Sequence, residues 1–390
     1  MPKKKHLEQL NSQKLNTIIS IAFFIALEAA LLAYITSSFL EQYIDIRYLG
    51  YIFVFGNIIS AILIFKLSTW VAKFGRYKLF FVFFLIHLLS LVGLATVKQK
   101  ALAILFFLFY IVTLFIIYIG IDIFTETFSC DESTGSIKGK QLTVRNLAWV
   151  AAPIIAGYLL AAYGFNLLFL IAGILVFISF AVFLRLKGDY DHDHSKIKFL
   201  ESFRKIKRDK NLSQIILGSL WLEIFFAFMI IYMPLYLRQI GMDWTQIGLV
   251  FTIMLSAFVI FQYPAGWLAD NKCGEKEILM LGFLLAGITT CLIFFINSAV
   301  VWIWAVALFA NRIGISLIQV MDESYFYKQI DARDIDLINF FRLMRPIGYI
   351  ITPLIASIVL AFYPLQYLFL FLGIFMLAGL FVVGRIEDTR

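Results

Sequence analysis

Residues 145–185, RNLAWVAAPIIAGYLLAAYGFNLLFLIAGILVFISFAVFLR, return two hundred positions later as residues 345–385, RPIGYIITPLIASIVLAFYPLQYLFLFLGIFMLAGLFVVGR, with 14 identities in 41 positions and no gap. Shared hydrophobicity accounts for some Leu and Ala matches. It does not account for the aligned Arg145/Arg345, Pro153/Pro353, Tyr163/Tyr363, Gly173/Gly373 and Arg185/Arg385. The same offset pairs Asp122 with Asp322, and Leu27-Glu28 has a counterpart in Leu222-Glu223 at a slightly different offset. The chain therefore reads as two parallel repeats, related by an axis along the membrane normal.

Composition says what each repeat is made of. Of 390 residues, 62% are hydrophobic and 15% charged, with a mean hydropathy of +0.90; soluble domains run near 45–50% and 25%. The apolar residues fall into twelve runs of about 20, long enough at about 1.5 Å per residue to cross a hydrocarbon core about 30 Å thick. They cover 16–39, 47–66, 79–97, 101–125, 142–163, 165–184, 214–237, 245–266, 277–297, 299–322, 338–362 and 365–384. The expected fold is an all-α integral membrane protein of twelve transmembrane helices in two pseudo-symmetric six-helix bundles. Its predicted parts are an N-terminal half (1–186), a cytoplasmic linker (187–213) and a C-terminal half (214–390).

Cations set the predicted orientation. Of 33 Lys and Arg, 25 fall in the N-terminus, the even-to-odd loops and the C-terminus. Four fall in the opposite loops (Arg47, Lys98, Lys100, Arg238), and four lie in or at the edge of spans (Arg145, Arg312, Arg342, Arg345). By the positive-inside rule both termini are cytoplasmic, in a plasma or inner membrane. The net charge of +8 then follows from topology and the anionic leaflet, so no nucleic-acid partner is expected. The first run follows Lys3, Lys4 and Lys5 but is too long for a signal-peptide h-region and lacks a small-residue cleavage site, so it reads as a retained helix. Cys130 and Cys273 sit in cytoplasmic loops and Cys291 in a span, so no disulfide is expected. In the linker, Ile197, Leu200, Phe203 and Ile206 recur at helical spacing among Lys198, Arg204, Lys205, Lys207 and Arg208, as in a basic helix on the membrane surface or a plain solvated one. Asp191, His192, Asp193 and His194 offer ligand chemistry, but no second cluster completes a site. The segment reads as a solvated loop, with no metal and no cofactor.

The loops carry a motif. Residues 266–276 read Gly266-Trp267-Leu268-Ala269-Asp270-Asn271-Lys272-Cys273-Gly274-Glu275-Lys276, and the loop between spans 2 and 3 keeps Lys73, Gly75, Arg76 and Lys78. Glycines there permit a tight turn, the Asp can accept from N–H groups at a neighbouring helix end, and the cations hold the loop at the cytoplasmic face. Residues 266–276 resemble the G-x-L-A-D-x-x-G-x-K signature of the major facilitator superfamily; the first loop departs from it at Ser68 and Ala72. Span 5 resembles the small-residue and proline signature of that family's antiporters through Ala148, Ala152, Pro153, Ala156 and Gly157. Span 11 repeats it as Gly348, Thr352, Pro353, Ala356 and Ser357. Such a stripe serves either a bending seam between the halves or ordinary close helix packing. The Arg signature of the family's drug antiporters is missing, since no Arg or Lys occurs from Ala101 to Ser136.

An ionisable residue inside a membrane persists mainly when it has work to do. Glu28 in span 1 and Glu223 in span 7 are the candidates for proton coupling, each alternatively a hydrogen-bonding group between helices. His87 in span 3 reads as a packed histidine. Trp149, Trp221, Tyr232, Trp302, Asn311 and Gln319 are candidate substrate-cavity residues, with flat faces and hydrogen bonds to offer. Asp122 and Arg145 are separated by 23 residues, as are Asp322 and Arg345, each Asp ending an even span and each Arg beginning the next. With Glu126, Glu323 and Arg342 they form a candidate cytoplasmic gate, and the resemblance implies ion pairs between spans 4 and 11 and between spans 10 and 5. The resemblance also implies alternating access. The expected function is a monomeric secondary transporter of a small solute in membrane lipid, coupled to protons and without enzymatic activity. The alternatives are an uncoupled carrier for a sugar or organic metabolite, or a non-transporting receptor of the same fold.

Overall fold

The computed structural model describes residues 2–128, 134–186, 199–330 and 335–387. Within these it omits the side chains of 2–12, 68, 126–127, 134–143, 199–202, 335–336 and 339. Cys130, the segment Asp191 to His194 and the Glu126 side chain therefore lie outside the described residues. Backbone polar groups in hydrocarbon must be satisfied within their own segment, and each long apolar run accordingly forms a helix. In chain order these are α1 (Pro2–Ala33), α2 (Thr36–Glu41), α3 (Ile46–Phe74), α4 (Arg76–Thr96), α5 (Lys100–Phe128), α6 (Thr134–Phe183) and α7 (Phe199–Arg208). There follow α8 (Lys210–Gln239), α9 (Trp244–Leu268), α10 (Glu275–Ile293), α11 (Val301–Lys328), α12 (Ile335–Arg342), α13 (Met344–Phe362) and α14 (Tyr367–Val383).

Among the described residues ten helices are long and apolar enough to cross a membrane, and α14 is a shorter apolar one. One of the ten carries two predicted spans: α6 changes direction at Gly164, whose φ of 76° belongs to a turn. Every predicted span thus falls on a helix. At the position equivalent to Gly164 the second repeat has Pro364, between α13 and α14.

Two breaks depart from the predicted spans. Span 1 ends at Ala33 and resumes as α2 at Thr36. Span 11 breaks at Leu343, between α12 and α13. Pro346 cannot bond back to the Arg342 carbonyl, but it fits the first turn of α13, where its N–H would have no helical partner.

The chain divides into two compact units, residues 1–43 with 59–196 and residues 44–58 with 197–390. In the first, α1 packs on α5 and α6, and α4 packs on α5 and α6. In the second, α8 packs on α11, α13 and α14, and α10 packs on α11 and α14. Matching span for span, these pairings repeat; α9 also packs closely on α11, which the equivalent α3 and α5 do not match. The start of α3 belongs to the second unit, where the Ser357 hydroxyl donates to the Arg47 carbonyl at 3.3 Å. Linker helix α7 packs on α8 and α12. It buries Ile206, sets Phe203 6.3 Å from Phe340 between ring centres, and leaves Arg204, Lys205, Lys207 and Arg208 exposed.

Candidate functional site

On α1, Ile21, Ile25, Glu28 and Leu32 recur at helical spacing and are all at most 2% exposed, so the carboxyl sits on the stripe that faces the unit's interior. On α4 the buried stripe runs Phe80, Phe84, His87, Leu91 and Leu94; on α5 it includes Tyr110, Thr113 and Ile117. Each stripe carries a polar group near mid-helix, and the fold brings them together. His87 Nε2 lies 3.5 Å from Glu28 Oε2, with both side chains wholly buried. His87 Nδ1 lies 2.8 Å from Thr113 Oγ1, and the His87 and Tyr110 rings stack at 5.4 Å and 19°. Tyr110 is also within electrostatic reach of Glu28.

The hydroxyl decides where the protons sit. Thr113 donates to the Phe109 carbonyl at 2.6 Å. It therefore presents a lone pair to His87, and Nδ1 carries the hydrogen. In a neutral ring Nε2 is then an acceptor facing the carboxyl. At 3.5 Å the contact is within ion-pair range and longer than a hydrogen bond.

The equivalent carboxylate has different neighbours. Glu223 on α8 lies against Gly348 of α13, where an added Cβ would approach the Glu223 Cβ to 2.9 Å. The Thr352 hydroxyl fastens the same contact by donating to the Ile224 carbonyl at 3.1 Å. Two members of the span 11 stripe thus serve close packing on span 7. Arg345 and Glu323 act electrostatically on Glu223, and the buried Asp322 lies beside Ser219, Glu323 and Glu223. The structure gathers three predicted gate residues around a predicted coupling residue within the second unit. Glu223 has a fixed cation nearby; Glu28 faces a group that itself takes up a proton. Of the remaining gate residues, Arg145 lies over the Tyr118 ring at 5.2 Å, Asp122 is half-buried, and Arg342 is the last residue of α12.

The two motif loops share one turn. Gly75 and Gly274 precede α4 and α10 with φ of 81° and 87°, a conformation that disfavours other residues. The Asp270 carboxylate accepts from Lys328 Nζ at 3.3 Å, at the end of α11. Lys328 also donates to Glu275, which is 1% exposed and accepts from the Ser324 hydroxyl at 3.2 Å. Lys272 lies over the Trp267 ring at 5.7 Å and Lys73 over Phe74 at 5.3 Å. Arg76 is buried, Lys78 exposed and Lys276 half-buried. Lys328→Met would take the Lys328 cation away from a buried carboxylate. It should lower the unfolding temperature in detergent clearly more than Lys272→Met; equal effects would contradict a buried ion pair here.

The six aromatic and amide candidates scatter. Trp221 stacks on Phe375 at 4.5 Å and donates to its carbonyl at 3.0 Å. Asn311 donates to Thr290, Thr289 and the Ala286 carbonyl, tying α11 to α10. Gln319 bonds Gln262 across α11 and α9 at 3.3 Å. Tyr232 is wholly buried, Trp149 half-buried and Trp302 65% exposed. The sequence reading missed His87 as the partner of Glu28, because 59 residues and two intervening helices separate them in the chain. It also used Arg312 only for topology, although an intramembrane cation was itself a signal.

Comparison with known proteins adds four findings. The family model described as Major Facilitator Superfamily matches residues 17–246 and 233–389. Among solved structures, the POT family transporter PepTSo aligns with a TM-score of 0.74 at 14% identity, covering 95% of this chain and 97% of its own. The nucleoside transporter NupG aligns with a TM-score of 0.74 at 13% identity, covering 95% and 100%. At such identities the likeness is one of fold. A curated relative, the probable sulfoacetate transporter SauU of Cupriavidus necator, is 32% identical over 91 residues, 22% of this chain and 21% of that protein.

Proposed function

Because the chain belongs to the Major Facilitator Superfamily, we propose that this multi-pass membrane protein is a secondary active transporter of a small solute, working by alternating access and coupled to protons through Glu28. The observation that carries the coupling is the wholly buried Glu28–His87 pair, a carboxyl and an imidazole 3.5 Å apart. Adding or removing a proton there changes the charge of a desolvated site by one unit, and so changes which conformation is favoured. Glu223 is the second candidate. Both termini are assigned to the cytoplasm of a cell membrane, on the cation distribution.

The test is transport by the purified protein in proteoliposomes. Counterflow of labelled solute separates a transporter from a receptor of the same fold, and accumulation driven by an imposed pH gradient separates a coupled transporter from a passive carrier. Counterflow without pH-driven accumulation would leave the uncoupled reading standing.

The predicted gate belongs to the same proposal. Asp122→Arg alone should cut transport, and Arg345→Asp added to it should restore part of the rate. A double variant no better than the single one would remove Asp122 and Arg345 from the gate.

A further inference from the structure

Linker helix α7 ends Phe203-Arg204-Lys205-Ile206-Lys207-Arg208, and Asp209 alone separates it from α8. At about 100° per residue, Arg204 and Arg208 point away from Ile206, which is 6% exposed where α7 packs on α8 and α12. Arg204, Lys207 and Arg208 are exposed, as is Lys210 in the first turn of α8, and the Phe203 ring is 50% exposed. The start of α8 is fixed in place. Asp209 accepts from the Leu212 N–H at 3.0 Å, Asn211 Nδ2 donates to Glu387 Oε2 at 3.2 Å, and the Glu387 N–H donates back to Asn211 Oδ1 at 3.0 Å. The basic face therefore has a set direction at the end of a span.

A helix this short is marginal in water, and Arg204 and Arg208 stand four residues apart, where like charges repel. Lys205, Lys207 and Arg208 complement the dipole of the last turn. Arg204 lies before that turn, and Lys210 opens α8, where a cation opposes the dipole. From Arg204 to Lys210 the chain has five cations and one acid, and that acid, Asp209, caps α8. An anionic surface outside the helix would relieve both repulsions. Leu217, 37% exposed, follows Lys210 by seven residues on one stripe of α8, about 10 Å along the axis. Lys210 thus continues an exposed apolar face of the span toward the headgroups. A helix tethered to a span meets the headgroup layer at high local concentration, whereas a soluble acidic protein would have to be recruited. The half-exposed Phe203 ring among these cations suits the same interface.

We propose that the face formed by Arg204, Lys207 and Arg208 of α7 with Lys210 of α8 docks on anionic phospholipid headgroups of the membrane that holds the chain. The contact bears on span 11. Phe203 lies 6.3 Å from Phe340 of α12 between ring centres, and Phe341 stacks on Phe326 of α11 at 4.1 Å. A docked α7 therefore braces the part of span 11 that precedes the break at Leu343. Docking is measurable without any transported solute.

The experiment follows the unfolding temperature of the purified protein in dodecyl maltoside micelles against the mole fraction of added phosphatidylglycerol or phosphatidylcholine. Phosphatidylglycerol should stabilise the wild type in a saturable way and more than phosphatidylcholine. Raising the salt from about 0.05 M to about 0.5 M should remove most of that difference. The triple variant Arg204→Gln, Lys207→Gln, Arg208→Gln should raise the half-saturating fraction of phosphatidylglycerol at least about tenfold. A control that removes three exposed cations elsewhere, Lys73→Gln, Lys78→Gln, Lys272→Gln, should keep the wild-type response. Arg208→Gln alone should shift the response in the same direction as the triple variant and serves if that variant does not fold. Equal stabilisation by the two lipids, a difference that salt leaves unchanged, an undiminished response in the α7 variants, or an equal loss in the control would overturn the proposal. Soluble glycerol phosphate as effective as phosphatidylglycerol would overturn it too, because the partner would then be a free anion and not a lipid surface.

Discussion

Glu28→Gln should abolish accumulation driven by a pH gradient while leaving solute exchange at equal pH largely intact. A gradient of one pH unit is worth about 1.4 kcal/mol, enough for about tenfold accumulation at one proton per solute, and the variant should fall to no accumulation at all. The reason lies in the pair. An amide is the size of the protonated acid and carries no exchangeable charge, so position 28 stays neutral at every pH. His87→Gln should share the loss, because the carboxyl then faces no group able to take its proton. Thr113→Val addresses the tautomer: without the hydroxyl that accepts from Nδ1, nothing fixes Nε2 as the atom facing Glu28. Its coupling should become leaky, with fewer solutes accumulated per proton, measured as the ratio of proton to solute uptake. Undiminished pH-driven accumulation in both Glu28→Gln and His87→Gln would dismiss this pair and move attention to Glu223.

Gly314→Val should be the most destabilising single substitution among the predictions made for this protein. A Cβ at Gly314 would stand 2.6 Å from the Ala286 backbone nitrogen and 2.8 Å from the Gly282 carbonyl oxygen. Both belong to the α10 backbone, which cannot yield as a side-chain end would. The helices would have to separate, at a cost of about 1–3 kcal/mol or more for overpacking. The Asn311 bonds to Thr289, Thr290 and Ala286 span the same crossing and would be strained with it. In a membrane, close backbone approach is a main source of helix association, so the loss has little to offset it. Gly266→Ala is the control. This motif glycine is helical, and a Cβ there would meet only Val320 Cγ1 at 3.9 Å, so the unfolding temperature should hardly move. A stable Gly314→Val protein would mean that α10 and α11 do not cross this closely.

How much of this was legible in the chain differs from feature to feature. Twelve apolar runs and the repeat were visible because hydrocarbon thickness and backbone hydrogen bonding act on each segment by itself. The breaks at Tyr34–Ile35 and Leu343 were not marked, although Pro346 carries the cause of the second in local terms. The glycine turns at Gly75 and Gly274 followed from the motif. The partner of Asp270 did not, because Lys328 lies 58 residues on.

Local chemistry along the chain determined the membrane class, the helix spans, the predicted orientation and the places where an ionisable group enters a span. Those are properties of one segment against its solvent. Tertiary structure decided what each such group meets: Glu28 meets His87, Glu223 lies near Arg345, Asn311 meets the threonines of α10, and Arg312 meets three phenylalanines. Mid-span position says that a charge is desolvated. Its neighbour depends on helix rotation and crossing, set jointly by all the apolar and small residues of the packed helices, and no single segment contains that information.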